Sequence, residues 1–135
     1  MTERDRSQSI ASETAVLVSV VLPDRQFRTD PLDELDGLAK TAGTQVVGRM
    51  TQRRERPDTT TYLGKGKVDE LAQLAKALSA DVVIFDNDLS PAQTRNLERS
   101  IDTKVLDRTE LILDIFATHA QTYEARLAVE LAQLE

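Results

Sequence analysis

The sequence predicts an α/β fold, a small and mostly parallel sheet flanked by helices and followed by a long C-terminal helix. Three observations carry this. The runs Ala15 to Leu22 and Val82 to Phe85 are almost wholly apolar and largely β-branched, as strands covered on both faces are. Segments of helical apolar period alternate with such runs, which within one sheet implies right-handed βαβ crossovers. Helix-start signals stand where three of the four helices should begin: Asp30-Pro31, Ser90-Pro91 with Gln93, and Asp107 with Glu110.

Taken in order, residues 1–14 are polar and read as a disordered lead-in. The first strand follows from Ala15 and ends at Pro23-Asp24. A helix capped by Asp30 buries Leu32, Leu35, Leu38 and Ala39 on one face and closes at Gly43, a left-handed C-cap. Thr44 to Thr51 is a second strand. Gln52 to Asp58 is too polar and charged for a core and is expected as an exposed loop, with Thr59 to Leu63 a short β-prone segment. The second helix starts near Val68 and buries Val68, Leu71, Leu74, Ala75 and Leu78. After Val82 to Phe85 comes a helix from Pro91 to about Ser100, then a short strand at Lys104 to Leu106. The α/β unit is therefore expected over 15–107.

From Arg108 to Glu135 nothing stops a helix, which at 1.5 Å per residue would extend about 42 Å. Leu113, Phe116, Ala120, Tyr123, Leu127, Leu131 and Leu134 recur at steps of three or four and form an apolar seam. The first half is expected to pack on the sheet. The second half needs a partner helix that this sequence does not contain, so the chain is expected to belong to a larger structural unit, with self-association or fraying beyond Tyr123 as the expected result.

At 135 residues, with 40% hydrophobic and 30% charged side chains, the chain has the size of one globular unit. No apolar run is long enough to span a membrane and the N-terminus is polar, so neither a span nor a signal peptide is expected. Zero cysteines exclude disulfides, thiolate catalysis and cysteine zinc sites, and a reducing cytoplasm fits. The net charge of −6 argues against a nucleic-acid surface spread over the whole molecule. Between Arg49 and Lys67, however, six cations face two acids, a local balance of +4 that leaves −10 for the rest. An acidic body with one basic patch can meet a polyanion through that patch.

The patch holds Arg49, Arg53, Arg54, Arg56, Lys65 and Lys67, with Gly64 just before Lys65 and Gly66 between the two lysines. Glycines there can take positive φ and admit a phosphate to the backbone, beside a helix start whose N–H groups favour an anion. The competing reading is a flexible turn with solvated lysines and a solvated arginine loop. No Walker loop occurs in the chain. Asp86 and Asp88, after the strand Val82 to Phe85, are a candidate nucleotide or Mg²⁺ rim, or else turn and capping residues. His119 has no acid or nucleophile beside it in the pattern and reads as a surface or seam residue. Neither a catalytic set nor a metal-ligand cluster is visible.

Several segments in fixed order also resemble a known family. Asp30-Pro31-Leu32-Asp33-Glu34-Leu35, Val47-Gly48-Arg49 to Pro57, Tyr62-Leu63-Gly64-Lys65-Gly66-Lys67, Val83 to Gln93, and Val105-Leu106-Asp107-Arg108-Thr109 to Ala117 are similar to the N-terminal domain of the HflX family of translation-factor-related GTPases. The resemblance covers about Ala15 to Glu135. It implies a cytoplasmic, ribosome-associated protein that binds the large subunit and its rRNA and helps to split or rescue stalled ribosomes. It also implies GTP and Mg²⁺ for the full-length protein, a GTPase domain and a second long helix in cis, so that 108–135 is the first arm of an incomplete antiparallel helical hairpin, and in some members ATP binding. On that likeness this stretch holds no guanine-nucleotide motif and should not hydrolyse GTP by itself. An alternative implied by the glycine-lysine segment is a purine-nucleotide (ATP) domain with its phosphate site at Gly64 to Lys67.

Overall fold

The computed structural model describes residues 9–24 and 30–134. The sheet has four strands, β1 (Thr14–Val21), β2 (Gln45–Arg53), β3 (Val82–Phe85) and β4 (Lys104–Asp107), in the order β2-β1-β3-β4. All three ladders are parallel. Between them run α1 (Asp33–Thr41), α2 (Lys65–Ala77) and α3 (Pro91–Ile101), and α4 (Arg108–Leu134) follows the last strand. The expected α/β class is therefore observed, with strands and helices alternating as the sequence pattern requires.

Central position explains the apolar runs. In β1, Ala15 through Val21 are all buried, because helices cover both faces of the sheet. On one face Leu63, Val68, Leu71, Ala75, Leu97 and Ile101 meet Val16, Val18, Val83 and Phe85. On the other, Leu32, Leu35, Ala39 and Leu111 meet Ala15, Leu17, Val82 and Ile84. Thus α2 and α3 form one layer, α1 and the start of α4 the other. β2 is an edge strand, and its alternating exposure shows it. A bulge between Ala15 and Val16 shifts its register, pairing Ala15 with Val46 and Val16 with Gly48.

Several boundaries differ from the sequence reading. The expected lead-in over 1–14 lies outside the described residues up to 8, but Ile10 is fully buried in the α1 layer and Ser12 N–H donates to Gly43 O at 2.9 Å. β2 continues through Gln52 and Arg53 rather than ending at Thr51, because β1 supplies partners as far as Val21. Asp30 acts one turn ahead of α1: its carboxylate accepts the Leu32 N–H at 2.9 Å, and the helix begins at Asp33. Gly43 has φ +80, in keeping with its left-handed role. Thr59 to Leu63 forms a turn closed by one antiparallel bridge between Asp58 and Tyr62, too short a pairing to make a strand. The Ser90 and Gln93 capping box is present in full.

α4 departs most from expectation. Only Leu111 and Ile115 of its first turns pack on the sheet, while Leu113 and Phe116 are exposed. The reason is angular. At about 100° per residue, the stripe Leu113, Phe116, Ala120, Tyr123, Leu127 and Leu131 centres on the side of the helix opposite Leu111 and Ile115. The seam is thus uncovered along its whole described length, not just in its second half. His119 is exposed on the same helix. No helix among the described residues is long and apolar enough to cross a membrane.

Candidate nucleic-acid interface

The end of β2 and the start of α2 build the candidate site. Arg54 N–H donates to Val21 O at 3.0 Å and prolongs the β1–β2 ladder by one bond, after which Arg54 Nε donates to Arg56 O at 3.0 Å. Gln52 Oε1 accepts the Gly64 N–H at 2.9 Å. These two side chains crowd the glycine: a Cβ at position 64 would stand 2.5 Å from Arg54 Nη1 and 3.0 Å from Gln52 Nε2, so the flexible ends of both would have to shift. Gly64 is buried and has φ −64, so positive φ is not what its place requires. Gly66 is helical and exposed, and neither glycine adopts positive φ as the sequence reading expected.

α2 starts at Lys65 instead of near Val68, so Lys65, Gly66 and Lys67 constitute its first turn. Gly64 is the N-cap and offers no side chain to cap that turn, which carries no acidic residue. Its N–H groups and dipole therefore favour an anion, and Lys65 projects there exposed. Lys67 Nζ donates to Glu70 Oε2 at 2.9 Å, a pair one turn apart on the same helix.

Asp58 anchors the turn beside them. Its Oδ1 accepts the Thr60 N–H at 2.8 Å and the Thr61 N–H at 3.1 Å, while Asp58 and Tyr62 exchange backbone hydrogen bonds. Those two amide donors, with the charges of Arg54 and Lys65, hold its carboxyl below the usual carboxylate range. Gln93 and Asn96 of α3 donate to Asp58 O and Thr60 O at 3.1 and 3.0 Å and tie the turn to the body. Tyr62 sits at φ +64, a conformation a bulky residue rarely takes without tertiary support.

Of the predicted basic residues, Arg54 stands against Gly64 and, like Lys65, lies within charge range of Asp58, Arg56 is exposed in the same loop, and Lys67 pairs with Glu70. Strand alternation puts Arg53 on the α1 side of β2, away from Gln52. Arg49 belongs elsewhere. It donates to Asp33 at 3.3 Å, Asp36 at 2.8 Å and Asp30 at 3.3 Å, contacts that raise its already high pKa. Those acids of the α1 region take up its charge, which removes it from the group around Gly64.

Asp86 and Asp88 lie at the carboxyl edge of the sheet, where winding reverses between β1 and β3 and where ligands of such folds bind. Here protein groups occupy them. Asp86 accepts Arg108 Nη1 at 3.0 Å, and Arg108 also pairs with Glu34; these partners outweigh burial and keep the guanidinium pKa raised. Asp88 accepts the Thr109 hydroxyl at 3.0 Å. Between them Asn87 is buried, exchanging 2.9 Å hydrogen bonds with both Val20 N–H and Val20 O. Asp107 takes the Leu89 and Glu110 N–H groups at 3.1 and 2.9 Å. The rim so described fastens α4 to the sheet. Among the described residues no group of three His, Cys, Asp or Glu is arranged to hold a metal ion.

Gln52, Asp58 and Arg108 escaped the sequence reading as site residues. Only the Asx-turn pattern Asp58-Thr59-Thr60 offered a local signal for one of them.

Residues 29–117 match the family model described as GTP-binding GTPase N-terminal. The chain belongs to that family. Its relatives include the GTPase HflX of Lacrimispora saccharolytica, 50% identical over 122 residues, which cover 90% of this chain and 29% of the relative. The GTPase HflX of Escherichia coli is 47% identical over 124 residues, covering 92% of this chain and 29% of its own. The chain thus corresponds to an HflX N-terminal segment and spans less than a third of these relatives. Among solved structures, one described as SsGBP and GDP complex superposes with a TM-score of 0.63 at 25% identity, over 90% of this chain and 34% of that one.

Proposed function

We propose that this chain is the N-terminal, RNA-contacting part of a cytoplasmic HflX-type GTPase that acts on the large ribosomal subunit. In this reading the whole protein binds GTP with Mg²⁺ in a separate domain outside this segment, and helps to split or rescue stalled ribosomes. Arg54, Arg56, Lys65 and Lys67, with the first-turn N–H groups of α2, contact rRNA phosphates. One observation supports it above the others: Arg54 and Lys65 converge on the uncapped first turn of α2 in a molecule that is otherwise acidic.

Binding to purified large subunits tests it. With about three phosphates neutralised, a fourfold rise in salt should weaken affinity roughly 20- to 40-fold, and Arg54→Ala with Lys65→Ala should weaken it at low salt. Affinity indifferent to both salt and these variants would sink the proposal. A purine-nucleotide site at the same turn is the second reading, favoured by the first-turn N–H groups of α2. Calorimetric titration with ATP and Mg²⁺ separates the two, since a Kd weaker than ~1 mM is too feeble to support it.

A further inference from the structure

The turn Asp58 to Tyr62 places one carboxylate beside Arg54 and Lys65, two of the cations that the proposed RNA contact uses. Asp58 Oδ1 already takes two backbone N–H groups, as a phosphate oxygen would, and the carboxylate lies within electrostatic reach of Arg54 and Lys65. The turn is held rigidly, by its own bridge between Asp58 and Tyr62 and by Gln93 and Asn96 of α3. Such a carboxylate cannot readily swing away when a ligand arrives.

We infer that Asp58 is a built-in competitor for the anion, a fixed negative charge that lowers the affinity of the Arg54 and Lys65 group for phosphate. The inference rests on the proposed polyanion contact and adds its regulation. Without Asp58, the two cations and the first turn of α2 form a stronger trap. With it, the site holds phosphate weakly, and a polyanion that touches several cations at once is favoured over a free phosphate that touches few. Because the competing charge is held in place by hydrogen bonds, its effect depends on the charge itself and is lost when the charge is removed, even with the turn kept.

Asp58→Asn is the decisive variant, since its side-chain oxygen can still accept from Thr60 and Thr61 while the charge is gone; Asp58→Ala removes both. Two probes are used on the full chain, purified large ribosomal subunits and inorganic phosphate, the latter followed by amide shifts of Lys65, Gly66 and Lys67. The Asn variant should bind subunits about 3- to 10-fold more tightly, with a salt slope steeper by about one as an additional cation is freed for phosphate. Inorganic phosphate should shift the three amides in Asp58→Asn and much less in the wild type. An Asn variant that melts with the wild type, yet gains neither subunit affinity nor phosphate response, overturns the inference. Should subunits bind through some other surface, Lys65→Ala will leave their affinity unchanged and the RNA reading falls. The phosphate arm then decides the role of Asp58 alone: shifts confined to the Asn variant uphold it, and equal shifts or none refute it.

Discussion

Asn87 completes a ladder that the backbone has left. Beyond Phe85, β3 no longer pairs with β1 as a strand, and the Asn87 amide supplies both a donor and an acceptor to Val20, as a peptide group would. Removing it strands two backbone groups in a buried place. Asn87→Ala should therefore cost about 2–4 kcal/mol, visible as a lower midpoint in urea with an unchanged slope; a loss under about 0.5 kcal/mol would mean that water replaces the amide. Gly64 teaches a related lesson about single residues. A glycine ahead of two lysines suggests freedom for a ligand, whereas here it is buried with Arg54 and Gln52 close against it. Only the neighbours reveal which use applies.

At the scale of elements, α4 is held by its first turns and free afterwards. Leu111 is fully buried and Ile115 packs beside it, while Leu113, Phe116, Tyr123 and Leu131 are each more than half exposed. A helix of 27 residues, about 40 Å long, cannot be covered by a four-stranded sheet on one side only. Phe116→Glu with Leu113→Glu should then leave the stability of the α/β unit within about 0.5 kcal/mol, whereas Leu111→Ala should cost about 2–5 kcal/mol. Sedimentation should find the unsubstituted chain self-associating and the double Glu variant monomeric. A monomer in both cases, with the end of α4 protected from hydrogen exchange, would show that the stripe needs no partner.

Across the whole molecule, one cation joins three elements. Arg108, the first residue of α4, pairs with Asp86 at the end of β3 and with Glu34 of α1, while Thr109 holds Asp88. Together with buried Leu111 and the Asp107 cap, this knot sets the direction of the long helix relative to the sheet. Arg108→Ala leaves the largely buried Asp86 carboxylate without its partner and should cost about 1–3 kcal/mol. Faster hydrogen exchange should appear in the first two turns of α4 and spare α2 and α3. Uniform loosening of every element would indicate instead that Arg108 supports the core.

The amino-acid order by itself determined the class of fold, because apolar runs, helical spacing and caps are local and each is satisfied by residues near in sequence. Burial along β1 and the Ser90 cap followed from such patterns, and so did the left-handed Gly43. Tertiary structure alone decided which charges remain available. Arg49 reads like Arg54 in the sequence, yet the β1–β2 pairing and the position of α1 deliver three carboxylates to the first and leave the second over the start of α2. Electrostatic neutralisation acts through space, over a few ångströms, and linear spacing carries no record of which acids the fold will bring there.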